Sequence, residues 1–190
     1  MKILKGILIV VLGLVALFLI VGLFLPSEFH FERSTIVNAP DSVVYEYLTD
    51  FNKRPEWDPW LEMEPTAKNS FEQVEGKVGS KYTWEGVELG KGILVIEEVV
   101  QNKSIKCKME FIEPYQSIAT VLWDLESTDG GTKATWAIEG ELSYPMERYM
   151  GLMMDGMMGP QFEKGLTNVK KNVESNWEKA VSDTTASILF

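Results

Sequence analysis

A run of 20 residues without a charged side chain, from Gly6 to Leu25, constrains this chain more than any other feature. An α-helix rises about 1.5 Å per residue, so this run forms a helix about 30 Å long, the thickness of the hydrocarbon core of a bilayer. The alternative is a cleaved signal peptide, whose apolar region is shorter, about 7–15 residues, and ends in small residues. Here the run ends in Leu23-Phe24-Leu25-Pro26. We therefore predict one transmembrane helix through residues 6–25, with residues 1–27 forming an uncleaved N-terminal anchor.

Positive charge flanks the N-terminal side of this run, at Lys2 and Lys5. The cytoplasmic flanks of membrane helices are enriched in lysine and arginine. The sequence therefore predicts a single-pass membrane protein with a cytoplasmic N-terminus and a globular domain in the periplasm or outside the cell.

The rest of the chain is acidic: apart from those two lysines it holds 16 basic and 28 acidic residues, a net charge of −12. Nucleic acids and anionic lipid head groups attract surfaces rich in lysine and arginine, so both are poor partners for it. One His and one Cys exclude an internal disulfide framework and most zinc sites. We expect no nucleic-acid partner, no metal and no cofactor, and the sequence identifies no protein partner.

Strand and helix periods alternate along the remaining residues. Ile105, Cys107, Met109 and Phe111 alternate with polar residues, which is typical of a half-buried strand. Near the C-terminus, apolar residues recur every three or four positions from Phe162 to Trp177, so one apolar stripe of a helix faces a partner. We expect that helix to begin at Gly159-Pro160. A further strand is predicted at 29–37, a short helix at 41–49, a helical turn with a loop at 51–60, and more strands at 82–84, 89–100, 117–126 and 133–143.

The order of these elements indicates an α+β domain in which the amphipathic C-terminal helix covers one face of an antiparallel sheet. We place this domain at residues 28–180 and expect residues 181–190 to be a flexible tail.

Several local patterns, in this order along the chain, resemble the START-like SRPBCC superfamily, in its polyketide cyclase/dehydrase-like branch. The resemblance covers roughly residues 30–178 and implies a helix-grip fold, in which a curved antiparallel sheet wraps around a long C-terminal helix and encloses an apolar cavity. The patterns are Asn38-Ala39-Pro40, Asp50 through Arg54-Pro55-Glu56-Trp57-Asp58-Pro59-Trp60, Phe111 with Pro114, Gly131-Thr132-Lys133-Ala134-Thr135-Trp136, and Gly159 through Phe162-Glu163-Lys164-Gly165-Leu166.

Members of that superfamily bind lipids, sterols, polyketides or other small apolar ligands, and some catalyse cyclisation or dehydration. The resemblance therefore implies membrane-tethered binding of a small hydrophobic ligand, lipid-like or polyketide-like, in the cavity. One alternative is a cyclase/dehydratase-type enzyme that acts in the same cavity. Another is an interaction module whose cavity is filled by its own side chains. The chain has no G-x-S-x-G, H-E-x-x-H or phosphate-loop motif, so no catalytic residue is identified.

Large apolar side chains on the strands and in the loop before them are the candidates for lining that cavity. The alternative is that they only fill the core, because aromatic residues dominate protein interiors in any case. The candidates are Trp57, Trp60, Trp84, Met109, Phe111, Trp123, Trp136 and Met154.

Residues 146–158 are unusually rich in methionine, a flexible side chain that suits adaptable apolar surfaces. Two interpretations remain open: a gate over the cavity, with Gly151, Gly156 and Gly159 allowing movement, or a loosely packed connecting helix.

For the individual titratable residues we predict structural rather than catalytic roles. We expect His30 to belong to a linker or interface, and Cys107 to be a buried small hydrophobe rather than a nucleophile. Any one of Glu56, Asp58, Asp124 and Asp155 is a candidate for a buried carboxyl group, although the surface is the usual place for such residues.

Overall fold

A computed structural model describes residues 2–188; Leu189 and Phe190, the end of the expected tail, lie outside the described residues. Seven strands form one antiparallel sheet with the order β1-β7-β6-β5-β4-β3-β2. The strands are β1 (Glu28–Val37), β2 (Lys68–Glu72), β3 (Lys81–Glu85), β4 (Lys91–Val100), β5 (Ser104–Glu113), β6 (Ser117–Thr128) and β7 (Gly131–Glu141). The helices are α1 (Lys2–Phe24), α2 (Asp41–Thr49), α3 (Pro59–Met63), α4 (Met146–Gly151) and α5 (Met154–Ile188), and a 3-10 helix spans Phe51–Glu56.

The sheet has a buried inner face and a solvated outer face. Along β6 the side chains of Ala119, Val121, Trp123 and Leu125 are buried, and the residues between them are partly or fully exposed. The inner face is covered by α2 and by α5, which runs across β1. This curved sheet gripping a long C-terminal helix confirms the predicted α+β helix-grip fold.

The α5 helix packs through the apolar stripe that the sequence predicts. Phe162, Leu166, Val169 and Val173 are all buried in the core between this helix and the sheet. The predicted start of the helix is wrong, because α5 begins at Met154 and passes through Pro160 without a break. Pro160 lacks the N–H that would bond the carbonyl four residues earlier, that of Gly156, and this carbonyl is at an exposed position where water can hydrate it. At its other end α5 extends beyond residue 180, where we expected the domain to end.

The strand β2 was not predicted from the sequence. It pairs with β3 at the edge of the sheet, and only Asn69 and Phe71 point to the inner face. One apolar side chain in five residues gives almost no period-two signal, so the segment has the composition of a loop.

The helix α1 stands apart from the packed domain. Its 22 residues from Ile3 to Phe24 are long and apolar enough to cross a membrane, and most of their side chains are exposed. Its last turns contact α4, which follows β7.

Truncating the apolar stripe of α5 should destabilise the domain. We expect Leu166→Ala to lower the free energy of unfolding by about 2–5 kcal/mol, because it leaves a cavity between α5 and the sheet. Lys171→Ala, at an exposed position of the same helix, should change it by less than about 0.5 kcal/mol. Urea titration of the full chain in detergent, followed by tryptophan fluorescence, measures both, since all six tryptophans lie outside α1. Equal losses in the two variants would contradict the packing described.

Candidate functional site

Four residues, two of them small, form a row across the inner face of the sheet near one of its ends. Met109, Ala119, Gly140 and Phe29 are direct neighbours on β5, β6, β7 and β1. Ala119 is small beside the larger side chain of Met109, and the ring of Phe29 packs over Gly140. A Cβ atom on Gly140 would lie 2.9 Å from the ring of Phe29, so this glycine is required for the close approach of that ring.

The apolar side chains around this row are incompletely covered. Phe29, Met109, Phe111 and Met158 pack against the core but remain partly exposed. Fully packed interiors leave few such gaps, so this part of the inner face is an accessible apolar surface.

A groove of about 780 Å³ lies at the same end of the sheet. Most of the side chains that line it point to the outer face of the sheet, among them Glu110, Ile118, Thr120 and Glu139, and the connection between β5 and β6 and the residues that follow β7 complete it. Four glutamates contribute a negative charge to it. They are Glu110, Glu139, Glu141 and Glu147.

Four of the five tryptophan candidates come together further along the inner face. Trp136 stacks on Trp123 and on Phe162, with ring centroids 5.0 and 4.1 Å apart. Trp57 meets Trp123 and Trp136 edge to face at 5.7 and 5.4 Å, and Trp60 meets Trp136 at 5.7 Å. We call Trp57, Trp60, Trp123, Trp136 and Phe162 the aromatic cluster; it joins the sheet to α3 and α5.

Two polar atoms inside this cluster lack a partner. The indole N–H groups of Trp57 and Trp136, both residues 2% exposed, donate no hydrogen bond to any described residue. The indole of Trp84, by contrast, donates to the Leu89 carbonyl at 3.2 Å. A buried unsatisfied donor costs about 1–3 kcal/mol, so both groups favour an oxygen acceptor that enters the interior.

The other candidates occupy two separate places. Trp84 meets Phe111 edge to face at 5.9 Å, and Met109 precedes Phe111 by two residues on the same strand, β5. Gly92 allows this, because a Cβ there would overlap the Trp84 ring. Met154, at the start of α5, lines a different groove of about 460 Å³ beside the start of β1. That these eight side chains line a ligand cavity stays a prediction.

A buried ion pair lies beside the cluster, and the sequence analysis did not foresee it. Arg54 Nε lies 2.6 Å from Asp58 Oδ2, and the two side chains are 6% and 2% exposed. The Arg54 N–H does not point at that oxygen, so the contact is ionic rather than a directed hydrogen bond. The guanidinium lies over the rings of Trp57 and Tyr82 at 5.0 and 4.8 Å. The spacing of four residues was the signal available in the sequence.

Asp58 is therefore an exception to the expected surface position of carboxylates, whereas Glu56, Asp124 and Asp155 are exposed. Its Oδ1 accepts a hydrogen bond from the Trp60 backbone N–H at 3.0 Å and so caps α3. With Arg54 as its counter-ion, this carboxylate has a structural role that fixes the loop carrying Trp57 and Trp60.

A second carboxylate, Glu64, holds the turn between β3 and β4. It accepts backbone N–H groups from Val87, Glu88 and Leu89 at 2.7, 3.1 and 3.0 Å. These hydrogen bonds, that from Leu89 above all, lower the pKa of Glu64. Because Leu89 also accepts from the Trp84 indole, the Glu64 carboxylate fixes the position of Trp84.

The remaining two titratable candidates are Cys107, which is buried as predicted, and His30, which lies in β1. Cys107 is buried, and burial raises the pKa of its thiol to about 12, so it stays protonated and is not a nucleophile. His30 lies on the outer face, where hydrogen bonds to Glu32 and Glu139 raise its pKa.

The sequence from residue 28 to residue 174 matches the family model described as polyketide cyclase / dehydrase and lipid transport. The chain belongs to this family. The match confirms the resemblance inferred from the sequence and includes every residue of the site described above. No protein of curated function matches the sequence.

Solved structures with the fold of this polyketide cyclase and lipid transport family share little sequence with the chain. Protein MLL2253 from Mesorhizobium loti is 17% identical with a TM-score of 0.55; the match covers 76% of this chain and 98% of that one. A Thermobifida fusca protein is 15% identical with a TM-score of 0.58, over 76% and 92% of the two chains. The di-domain ARO/CYC StfQ from the steffimycin biosynthetic pathway is 14% identical with a TM-score of 0.59, over 79% and 52%. At these identities the likeness shows the fold alone.

The Glu64 carboxylate should make the β3–β4 turn sensitive to acid. Its pKa is lowered in the folded protein, so its stabilisation is present above the ordinary pKa of a glutamate, about 4.3, and is lost as the pH falls through the lowered value. NMR titration should therefore show the amide shifts of Val87, Glu88 and Leu89 changing together with a midpoint below about 4.3. In Glu64→Gln that transition should disappear. A midpoint at or above the ordinary value would contradict the three-bond geometry.

Proposed function

We propose that this protein is a membrane-tethered binding protein for a small hydrophobic ligand, lipid-like or polyketide-like. The ligand lies on the inner face of the sheet, above Ala119 and beside the ring of Phe29, and extends towards the aromatic cluster. The observation that carries this proposal is the incomplete burial of the apolar side chains around Ala119. The proposed lining is Trp57, Trp60, Trp84, Met109, Phe111, Trp123, Trp136 and Met154.

Apolar burial alone supplies enough affinity for such a ligand. Burying about 300 Å² of its apolar surface contributes roughly 7 kcal/mol at about 25 cal/mol/Å², before the costs of association. The indole N–H groups of Trp57 and Trp136 add two donors for a carbonyl or hydroxyl oxygen. This combination fits a mainly apolar molecule with one buried oxygen acceptor.

The tether in this proposal is α1, retained as an anchor with its N-terminus in the cytoplasm and the domain outside it. The domain holds the end of this helix: Tyr144 Oη donates to the Leu19 carbonyl at 2.9 Å, and Tyr149 Oη to the Phe18 carbonyl at 2.5 Å. Phe18 and Tyr149 also stack with centroids 4.3 Å apart. A segment destined for cleavage needs no such contacts, so they support an anchor rather than a signal peptide.

A cyclase/dehydratase-type reaction in the same place needs an acid or a base that faces the ligand. The carboxylate nearest the aromatic cluster is Asp58, and it is neutralised by Arg54 and held by the Trp60 N–H. Binding is therefore the function that the geometry supports best.

Filling the space above the sheet should abolish binding. Native mass spectrometry of the full chain, purified from membranes in mild detergent, should detect a bound apolar ligand. In Ala119→Leu, which projects into the proposed site, ligand affinity should fall by about tenfold or more, a loss of about 1.4 kcal/mol or more. Thr120→Leu adds a similar side chain to the outer face of the same strand and should retain the ligand.

Thermal unfolding of both variants controls for folding. If Ala119→Leu folds and retains as much ligand as Thr120→Leu, the inner face is not the binding site. If the unaltered chain carries no ligand from any membrane source, the protein is an interaction module of this fold and the proposal is wrong.

A further inference from the structure

The residues from Met146 to Met158, which we call the Met-rich segment, expose several large apolar side chains to solvent. They comprise α4 and the first turns of α5. Five long apolar side chains of the segment are each more than half exposed, which is unusual for a packed connecting helix. They are Met146, Met150, Leu152, Met153 and Met157.

This segment is fixed to the end of α1. Besides the contacts of Tyr144 and Tyr149, the guanidinium of Arg148 lies 3.3 Å from the Gly22 carbonyl and 3.5 Å from the Leu25 carbonyl. Carbonyls at the end of a helix lack partners within it, and Arg148 donates to them. Gly22 makes room for this packing, since a Cβ there would lie 3.2–3.3 Å from the rings of Tyr144 and Tyr149.

These contacts fix the height of the segment relative to the membrane helix. The Phe18 carbonyl that Tyr149 contacts precedes Leu25, the end of the uncharged run, by seven residues. At a rise of about 1.5 Å per residue, it lies about 10 Å below that end. Interfacial helices bury their apolar face about 5–10 Å into the boundary between head groups and acyl chains. If α1 spans the bilayer, α4 must therefore lie beside it in this boundary layer.

We propose that the Met-rich segment is a second membrane contact, which inserts its exposed methionine and leucine side chains into the bilayer next to α1. This inference rests on the proposed anchor. The occupant is the bilayer because the segment is bonded to the spanning helix at Phe18, Leu19 and Gly22 and exposes its methionine and leucine side chains there. Tyrosine side chains are favoured at this depth, and Tyr144 and Tyr149 occupy it. The segment contains Glu147 and Asp155 against Arg148, so apolar burial rather than charge drives the contact.

The consequence is a fixed orientation of the domain. The strand register places the start of β1, the connection between β5 and β6 and the end of β7 at one end of the sheet. That end faces the bilayer, and the groove of about 460 Å³ lies there between the start of β1 and the segment. Phe29 lines this groove and also packs over Gly140, so it connects the groove to the inner face.

Depth measurements on the full chain test this contact. Single cysteines at Met153, at Leu14 in α1 and at Asp129, in the turn between β6 and β7, carry an environment-sensitive fluorophore in phosphatidylcholine liposomes with and without spin-labelled lipids. The native Cys107 does not compete for the label, because it is buried and its thiol pKa is raised to about 12. Asp129 is exposed at the opposite end of the sheet and is the matched control.

We expect spin-labelled lipids to quench the labels of Met153→Cys and Leu14→Cys several-fold more than that of Asp129→Cys, and anionic lipid to leave this ratio unchanged. A quenched Leu14 label with a Met153 label that behaves like Asp129 would overturn the second contact and leave the anchor intact. If the fluorescence of the Met153 label reports an apolar environment but spin-labelled lipids do not quench it, protein rather than lipid covers the segment. This result also overturns the second membrane contact. An unquenched Leu14 label would overturn the anchor and the inference together. If anionic lipid strongly increased the quenching of the Met153 label relative to that of the Asp129 label, the apolar mechanism would be contradicted.

Discussion

The ring of Trp136 connects the layers of this fold. It stacks on Trp123 of the adjacent strand and on Phe162 of α5, and receives the edges of Trp57 and Trp60 from the loop and helix that follow α2. Gly165 of α5 is required for this arrangement, since a Cβ there would lie 2.7 Å from the Trp136 ring. The sheet, α3 and α5 are therefore joined through the Trp136 ring. The part of the inner face towards Ala119 and Gly140 lies beyond these contacts, so its packing can differ.

We relate the proposed function to a difference in packing between the two halves of the inner face. One half is a dense core supported by the aromatic cluster and the Arg54–Asp58 pair, whereas the half nearest α1 has small residues and partly exposed apolar side chains. The loosely covered half lies at the end of the sheet where α4 contacts α1. In the function that we propose, the same few residues therefore hold the binding surface next to the membrane.

Periodicity was sufficient to predict most of the fold. The alternation at Ile105–Phe111 and the stripe from Phe162 to Trp177 gave the half-buried sheet and its covering helix, because burial on one face leaves a repeat in the sequence. The edge strand β2 and the start of α5 at Met154 left no such repeat. Among the candidate site residues, the large aromatics were selected by their residue type, and their contact with a ligand stays a prediction. Ala119 and Gly140 were not recognised as site residues, because what matters at these positions is the absence of a side chain. The three-bond role of Glu64 depends on a turn formed in three dimensions, which no local spacing reveals.

The central claim, that a ligand with an oxygen acceptor occupies the inner face beside the aromatic cluster, is tested most directly by NMR of the full chain with ¹⁵N-labelled tryptophan indoles. Spectra of the chain with its co-purified ligand are compared with spectra after lipid extraction. The account predicts that the indole N–H signals of Trp57 and Trp136 shift on extraction, since both donors lose their acceptor. The signal of Trp84, bonded to Leu89, and that of Trp177, near the opposite end of the sheet, should stay in place. Unchanged Trp57 and Trp136 signals, with the ligand demonstrably removed, would contradict it.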